Sequence, residues 1–163
     1  MIHGKGRMSL ESNGAAAEPL DMEQLYLFVV GLRHGDFSRR LPTEGTGRAK
    51  EVAMHLNSLS AQLQAATSEV TRVATEIGSE GRLGPICDAH LPPGPWRAMI
   101  ESVNVLAWNI TAQVRDMNAT MALAAAGNYE RPVTVNCQGE LLELKTAINA
   151  MMAARHQAAI AGA

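Results

Sequence analysis

The sequence predicts an all-α protein: three tandem helix–connector–helix units, each completed as a parallel four-helix coiled-coil bundle by a second copy of the chain. Three observations predict it. Apolar residues fill 47% of the 163 positions and aromatic residues only 4%, so Ala, Leu, Val, Met and Ile carry the burial, a composition that favours helices over a β-sandwich. Segments of glycine, a small or polar residue and an apolar residue recur every 46 residues, as Gly35-Asp36-Phe37, Gly81-Arg82-Leu83 and Gly127-Asn128-Tyr129. Between these markers the apolar positions advance by alternating steps of three and four, the spacing of a coiled-coil seam.

Residues 1–20, with their Gly, Ser, Asn and an alanine run, read as a disordered tail. The units then span 21–69, 70–115 and 116–157, followed by a short tail at 158–163. A second marker, an Asn between apolar residues, appears once per unit as Asn57, Asn104 and Asn149, at spacings of 47 and 45. Two markers at nearly one period identify tandem copies. Each Asn borders the seam, where a polar side chain either specifies register or merely flanks it.

The first seam runs Leu56, Leu59, Leu63, Ala66, Val70, Val73, Ile77. It crosses the first unit boundary, so one helix is expected to continue unbroken from unit one into unit two. The next junction reads Val103, Leu106, Ile110, Val114, Met117, Met121, Ala124, and its two consecutive four-residue steps form a stutter that locally unwinds a left-handed supercoil. The junctions therefore differ. Leu25, Val29 and Leu32 superpose on Met117, Met121 and Ala124 at an offset of 92, but not on unit two at 46.

Gly35, Gly81 and Gly127 fall where each first helix would end, a place for a left-handed residue. Pro42, then Pro92, Pro93 and Pro95, and finally Pro132 are expected to keep the connectors out of helix, while Leu41, Val133 and Val135 tuck against the helices. Each connector has about 12 residues, enough to reach roughly 40 Å when extended, whereas a 16-residue helix is about 24 Å long. An antiparallel hairpin needs only about 2–8 residues, so the connector is built to run back along the helix and leave the pair parallel. Two parallel helices with one narrow apolar stripe each cannot close a core alone. A parallel homodimer solves this, with Leu56, Leu59, Leu63, Val70, Val73, Ile77, Val103, Leu106, Ile110, Val114, Met117 and Met121 as its core. The nine methionines suit gap filling, and soft packing also suits a bundle that switches.

The remaining composition excludes several functions. Fourteen Lys and Arg against sixteen Asp and Glu give a net charge of -2, with no electrostatic footprint for nucleic acid. The longest apolar run, Leu25 to Val30, is far short of the roughly 20 residues that span a bilayer, so the segment is expected to be soluble, cytoplasmic and free of membrane contact, although a parent protein could be membrane-associated. Cys87 and Cys137 have neither zinc nor disulfide spacing and read as reduced thiols. The histidines lack acidic or cysteine partners at ligand spacing, so no metal or cofactor is expected. Gly4-Lys5-Gly6-Arg7 and Gly45-Thr46-Gly47-Arg48 lack the P-loop spacing and read as loops. Asn109-Ile110-Thr111 and Asn118-Ala119-Thr120 match the glycosylation sequon but fall within predicted helix.

These residues resemble tandem HAMP domains, the parallel four-helix relays of histidine kinases, chemoreceptors and cyclases. They are most similar to the poly-HAMP array of group III, osmosensing-type hybrid histidine kinases. The resemblance rests on Val70-Thr71-Arg72-Val73-Ala74-Thr75-Glu76-Ile77-Gly78 with Glu80-Gly81-Arg82-Leu83-Gly84, then Trp96 through Val103-Asn104. Asn109-Ile110-Thr111-Ala112-Gln113-Val114-Arg115 follows, and Gly139-Glu140-Leu141-Leu142-Glu143-Leu144-Lys145 with Ile148-Asn149 completes it. It covers about residues 25–155. HAMP units commonly open their second helix with an acidic residue, which suits the positive end of the helix dipole. Glu140 fits; Arg48 and Trp96 depart from the pattern. Such kinases also need a phosphoacceptor histidine, an ATP-binding domain and a receiver, and none fits here. His156 lacks the flanking residues of a phosphoacceptor and reads as an exposed helix residue.

The resemblance implies a non-enzymatic relay that passes helix rotation or tilt from an input to a downstream kinase or other output domain, working as a homodimer. A static parallel coiled-coil scaffold is the alternative, and a monomeric bundle that binds an apolar ligand is a third reading. The stutter favours the relay, since a rod would keep an unbroken heptad.

Overall fold

The computed structural model describes residues 20–162, which form four helices and no strand: α1 (Met22–Arg33), α2 (Gly47–Gly78), α3 (Pro95–Ala125) and α4 (Glu140–Ala161). They belong to two compact units, Met1–Gln64 and Ala65–Ala163. The expected N-terminal tail lies almost wholly outside the described residues. Leu20 is the exception: assigned to that tail, it instead packs against the core of the first compact unit.

Local chemistry sets the helix ends. Asp21 caps α1 by accepting the Glu23 N–H at 3.0 Å, which satisfies one of the unpaired donors of the first turn. At the other end Gly35 takes φ +78°, a left-handed conformation open to glycine without steric cost. Gly81 and Gly127 do the same after the next two connector-leading helices, at φ +66° and +83°. Pro95 departs from expectation. It opens α3 instead of closing the connector, because the first helical position has no use for an N–H and proline's fixed φ suits it. Similarly α4 runs on to Ala161, into the expected C-terminal tail, since the alanines there are strong helix formers.

Both seams lie within single helices. Residues 56–77 fall inside the 32-residue α2, and residues 103–124 inside the 31-residue α3.

Hydrogen bonds fix the direction of the connectors. In the first compact unit Ser60 donates to the Phe37 carbonyl at 2.8 Å, Asn57 is bonded to Leu41, and α2 then begins at Gly47. The connector thus starts beside the middle of α2 and descends to its N-terminus, which places α1 parallel to α2. Within the second compact unit the middle connector descends both neighbours at once. Its Arg82, Ile86 and Asp88 meet Glu76, Arg72 and Glu69 in turn, while Leu83 and Cys87 meet Arg115 and Asn104. The last connector repeats the course, with Thr134 and Asn136 bonded to Asp116 and Gln113, and Val133 and Val135 bonded to Asn149 and Lys145. Every helix pair is therefore parallel.

Three small cores result. Phe28, Leu41 and Ala53 form the first, with Leu25, Leu32 and Leu56 against them. Ala66, Val73, Cys87, Leu91, Ile100 and Ala107 form the second, and Met117, Val133 and Cys137 the third. The two thiols are buried core groups. Burial pushes the Cys87 thiol above its ordinary pKa, so it remains protonated and behaves as a small apolar side chain.

Candidate functional site

Each connector is held by its central buried residue. Asn57 accepts the Leu41 N–H and donates to the Leu41 carbonyl, both at 2.8 Å. Asn104 does the same to Cys87 at 2.6 and 3.0 Å, and Asn149 to Val133 at 2.8 and 3.1 Å. An amide side chain is the one group that offers a donor and an acceptor in the geometry of a peptide, so it can replace the strand partner an extended connector lacks. Leu41, Cys87 and Val133 stand 46 residues apart, the spacing of the glycines. Within the chain these asparagines therefore do more than flank the seam: they hold the connector. Their partners are connector peptides, which helix periodicity does not reveal, although the spacing of the buried residues could have revealed them.

Asn104→Ala leaves both polar groups of a buried residue without partners, at a cost of about 1–3 kcal/mol. The expected result is a lower midpoint in urea, with the loss of connector amide protection centred on Cys87 by hydrogen exchange.

Carboxylates on the preceding helix make the opposing contacts. Glu69 accepts the Asp88 N–H at 2.8 Å and pairs with Arg72 at 2.7 Å; Arg72 also donates to the Ile86 carbonyl. Asp116 accepts the N–H groups of Thr134 and Val135 at 2.7 and 2.9 Å and pairs with Arg131 at 2.7 Å. The Arg72 hydrogen bond, then the Asp88 amide, hold the Glu69 carboxyl down at about 2. The Val135 and Thr134 amides, with Arg131 beyond them, hold Asp116 below the usual carboxylate range.

Both carboxylates are ionised more readily in the folded chain than in the unfolded one. For Glu69 the contribution to stability is complete above its ordinary pKa of 4.5 and is lost as the pH falls towards about 2, and the lowered Asp116 carboxyl acts in the same direction, its contribution being lost on acidification. Thermal melts from pH 6 to 2 should show the midpoint falling below pH 4.5, and Glu69→Gln should shallow that fall.

The seam positions divide into three groups. Val73 and Met117 are buried within the single chain. Leu56, Leu63, Val70, Ile77, Val103 and Ile110 are half-buried. Leu59, Leu106, Val114 and Met121 are exposed, Leu106 by 58%. Along α3, Met99 extends the stripe through Val103, Leu106 and Ile110, so one apolar edge of the helix lies beside the buried Ile100, Ala107 and Thr111. Glu140 is the first residue of α4, where its charge complements the helix dipole. His156 is half-buried on the same helix. Among the described residues no group of three or more His, Cys, Asp or Glu is placed to hold a metal ion, and no helix is long and apolar enough to cross a membrane.

The described residues are thus built as parallel helix pairs, each strapped by an extended connector. Residues 105–154 match the family model of the HAMP domain, so this stretch, from the middle of α3 through most of α4, is a HAMP domain. A HAMP domain is a non-catalytic linker domain of signal-transducing sensor proteins. No solved structure matches the chain. The matched stretch contains the third clasp, Asn149 on Val133, while the first two clasps lie before it.

Proposed function

We propose that the chain is a tandem array of three HAMP units, at 21–69, 70–115 and 116–157, that relays signals as a parallel homodimer. The observation that carries this reading is the threefold clasp. The Asn-to-connector bonds inside the HAMP domain recur with the same donors and acceptors in two further parallel helix pairs.

The exposed seam supports the second copy. A parallel pair with one side of its stripe in water gains by covering it, at about 25 cal/mol per Å² of apolar area, and a symmetric partner presents the same stripe in register. Each unit then has two packings that differ in helix rotation or tilt, and an upstream input biases them. The unbroken α2 and α3 hand that bias on, with the stutter letting successive units hold opposite packings. The parent is a sensor histidine kinase-like protein of the two-component type, and a kinase or other output domain is the downstream partner. A static dimerisation rod is the alternative.

Sedimentation equilibrium across a concentration series tests the dimer. A mass near twice 17.4 kDa is expected, and a folded monomer would overturn both the two-chain core and the relay. Inserting four residues after Gln113 in the longer parent tests the switching. The insertion should invert or abolish regulated output, and normal regulation would favour the rod.

A further inference from the structure

The connectors of the second compact unit are bonded to two helices at adjacent peptides. Cys87 is clasped by Asn104 of α3, while the next residue, Asp88, donates its N–H to Glu69 of α2. Val133 is clasped by Asn149 of α4, while Thr134 and Val135 donate to Asp116 of α3. A peptide plane is rigid, so each strap ties its two helices together through a few stiff bonds. Bonds to an ionised acceptor are roughly twice as strong as neutral ones.

The first helix pair lacks the carboxylate of this device and one of the two amides that it holds. At the offset of 92 that relates α1 to the second half of α3, Asp116 corresponds to Gln24, which is exposed. At the same offset Thr134 corresponds to Pro42, which has no N–H to donate. The carboxylate acceptor and one of its two donors are thus missing; Thr43, the counterpart of Val135, keeps its N–H but has no carboxylate at position 24 to receive it. The clasp of Asn57 on Leu41 is kept, so this connector is bonded to α2, and Ser60 and Arg40 add further bonds on that side.

We propose that Glu69 and Asp116 are carboxylate latches that make the second and third helix pairs move as strapped units, and that the first pair, latch-free, is the compliant one in which α1 moves independently of its connector. The purpose of the device rests on the relay reading, but its geometry lies within one chain. The latches act through the connector and are positioning residues.

Residue-resolved amide exchange on the whole chain tests it. In the unaltered protein the α1 amides should exchange without a matching change at Leu41, whereas the amides of α3 beyond Gln113 and of Thr134 and Val135 should open together. In Asp116→Ala the Thr134 and Val135 amides, and those of α3 from 116 to 125, should exchange at least about tenfold faster. Val133, held by Asn149, should stay within about twofold. Asn149→Ala should give the mirror result, with Val133 exposed and Thr134 retained. Exchange that is unchanged in Asp116→Ala, or that speeds by one common factor across α3, connector and α4, would overturn the latch. The mass of the unaltered chain is read separately, so a monomer would sink the relay reading while leaving the latch measurement intact.

Discussion

Replacing Ile110 by Asp is expected, if the chain pairs as proposed, to dissociate the two copies or to lower their stability by about 2–5 kcal/mol per chain. Ile110 lies midway along α3, half-buried by its own chain and continuous with the exposed Leu106 and Val114 of the same stripe. A second copy would complete its burial. A carboxylate there has two outcomes, both costly. It remains charged against apolar neighbours without a partner, or the chains separate and the stripe returns to water. Arg115, a nearby cation on the same helix, is committed to the Leu83 carbonyl, and Asp116 is itself an anion, so neither offsets the new charge. Sedimentation and thermal melting at matched concentration check the expectation. A variant that stays dimeric with an unchanged melt would show that Ile110 is outside the interface.

The helices, their glycine ends and the parallel direction were legible because each follows from local chemistry. A left-handed terminus needs glycine, an amphipathic helix needs its three-and-four spacing, and a connector longer than a hairpin needs a helix to run back along. The clasps were not legible from the same rules. Asn57, Asn104 and Asn149 lie on helix edges, where a seam argument sees only a polar interruption, and their partners are backbone groups whose chemistry is the same for any residue. Leu41, Cys87 and Val133 show this well: three unlike side chains share one position because the clasp reads the peptide and the core accepts any modest apolar group. The carboxylate latches escaped for a related reason. Glu69 and Asp116 look like ordinary solvated charges on a helix until the connector amides are placed beside them.

Volume compensation also blurs the repeat at the level of single residues. Three positions beyond each clasping Asn stand Ser60, Ala107 and Met152, all buried. The corresponding buried positions of the preceding helices, at the offsets of 92 and 47 used above, are Phe28, Val73 and Thr120. A large residue in one series corresponds to a small one in the other: Phe with Ser, Val with Ala, Thr with Met. Close packing fixes total volume more tightly than identity, so the repeat persists in shape while its residues diverge.

The first pair concentrates this volume in one side chain, and Phe28→Ala should therefore have the largest effect of any single truncation, about 3–5 kcal/mol. Phe28 is 2% exposed and is the largest side chain of its cluster, beside Leu41 and Ala53. Ser60, at the register-equivalent position on α2, is too short to fill the space that the ring would leave. α1 has only 12 residues, below the length at which an isolated helix is stable in water, so it depends on this anchor. Truncation is expected to melt α1 while the Asn57 clasp keeps Leu41 on α2 and the Ala65–Ala163 unit, which has its own two cores, remains folded. Circular dichroism should lose helix corresponding to about one short segment, and amide exchange should show the loss confined to the first compact unit. Phe28→Leu, which keeps most of the apolar volume, should restore much of the stability. A cooperative collapse of all four helices in Phe28→Ala would mean instead that the two compact units fold as one.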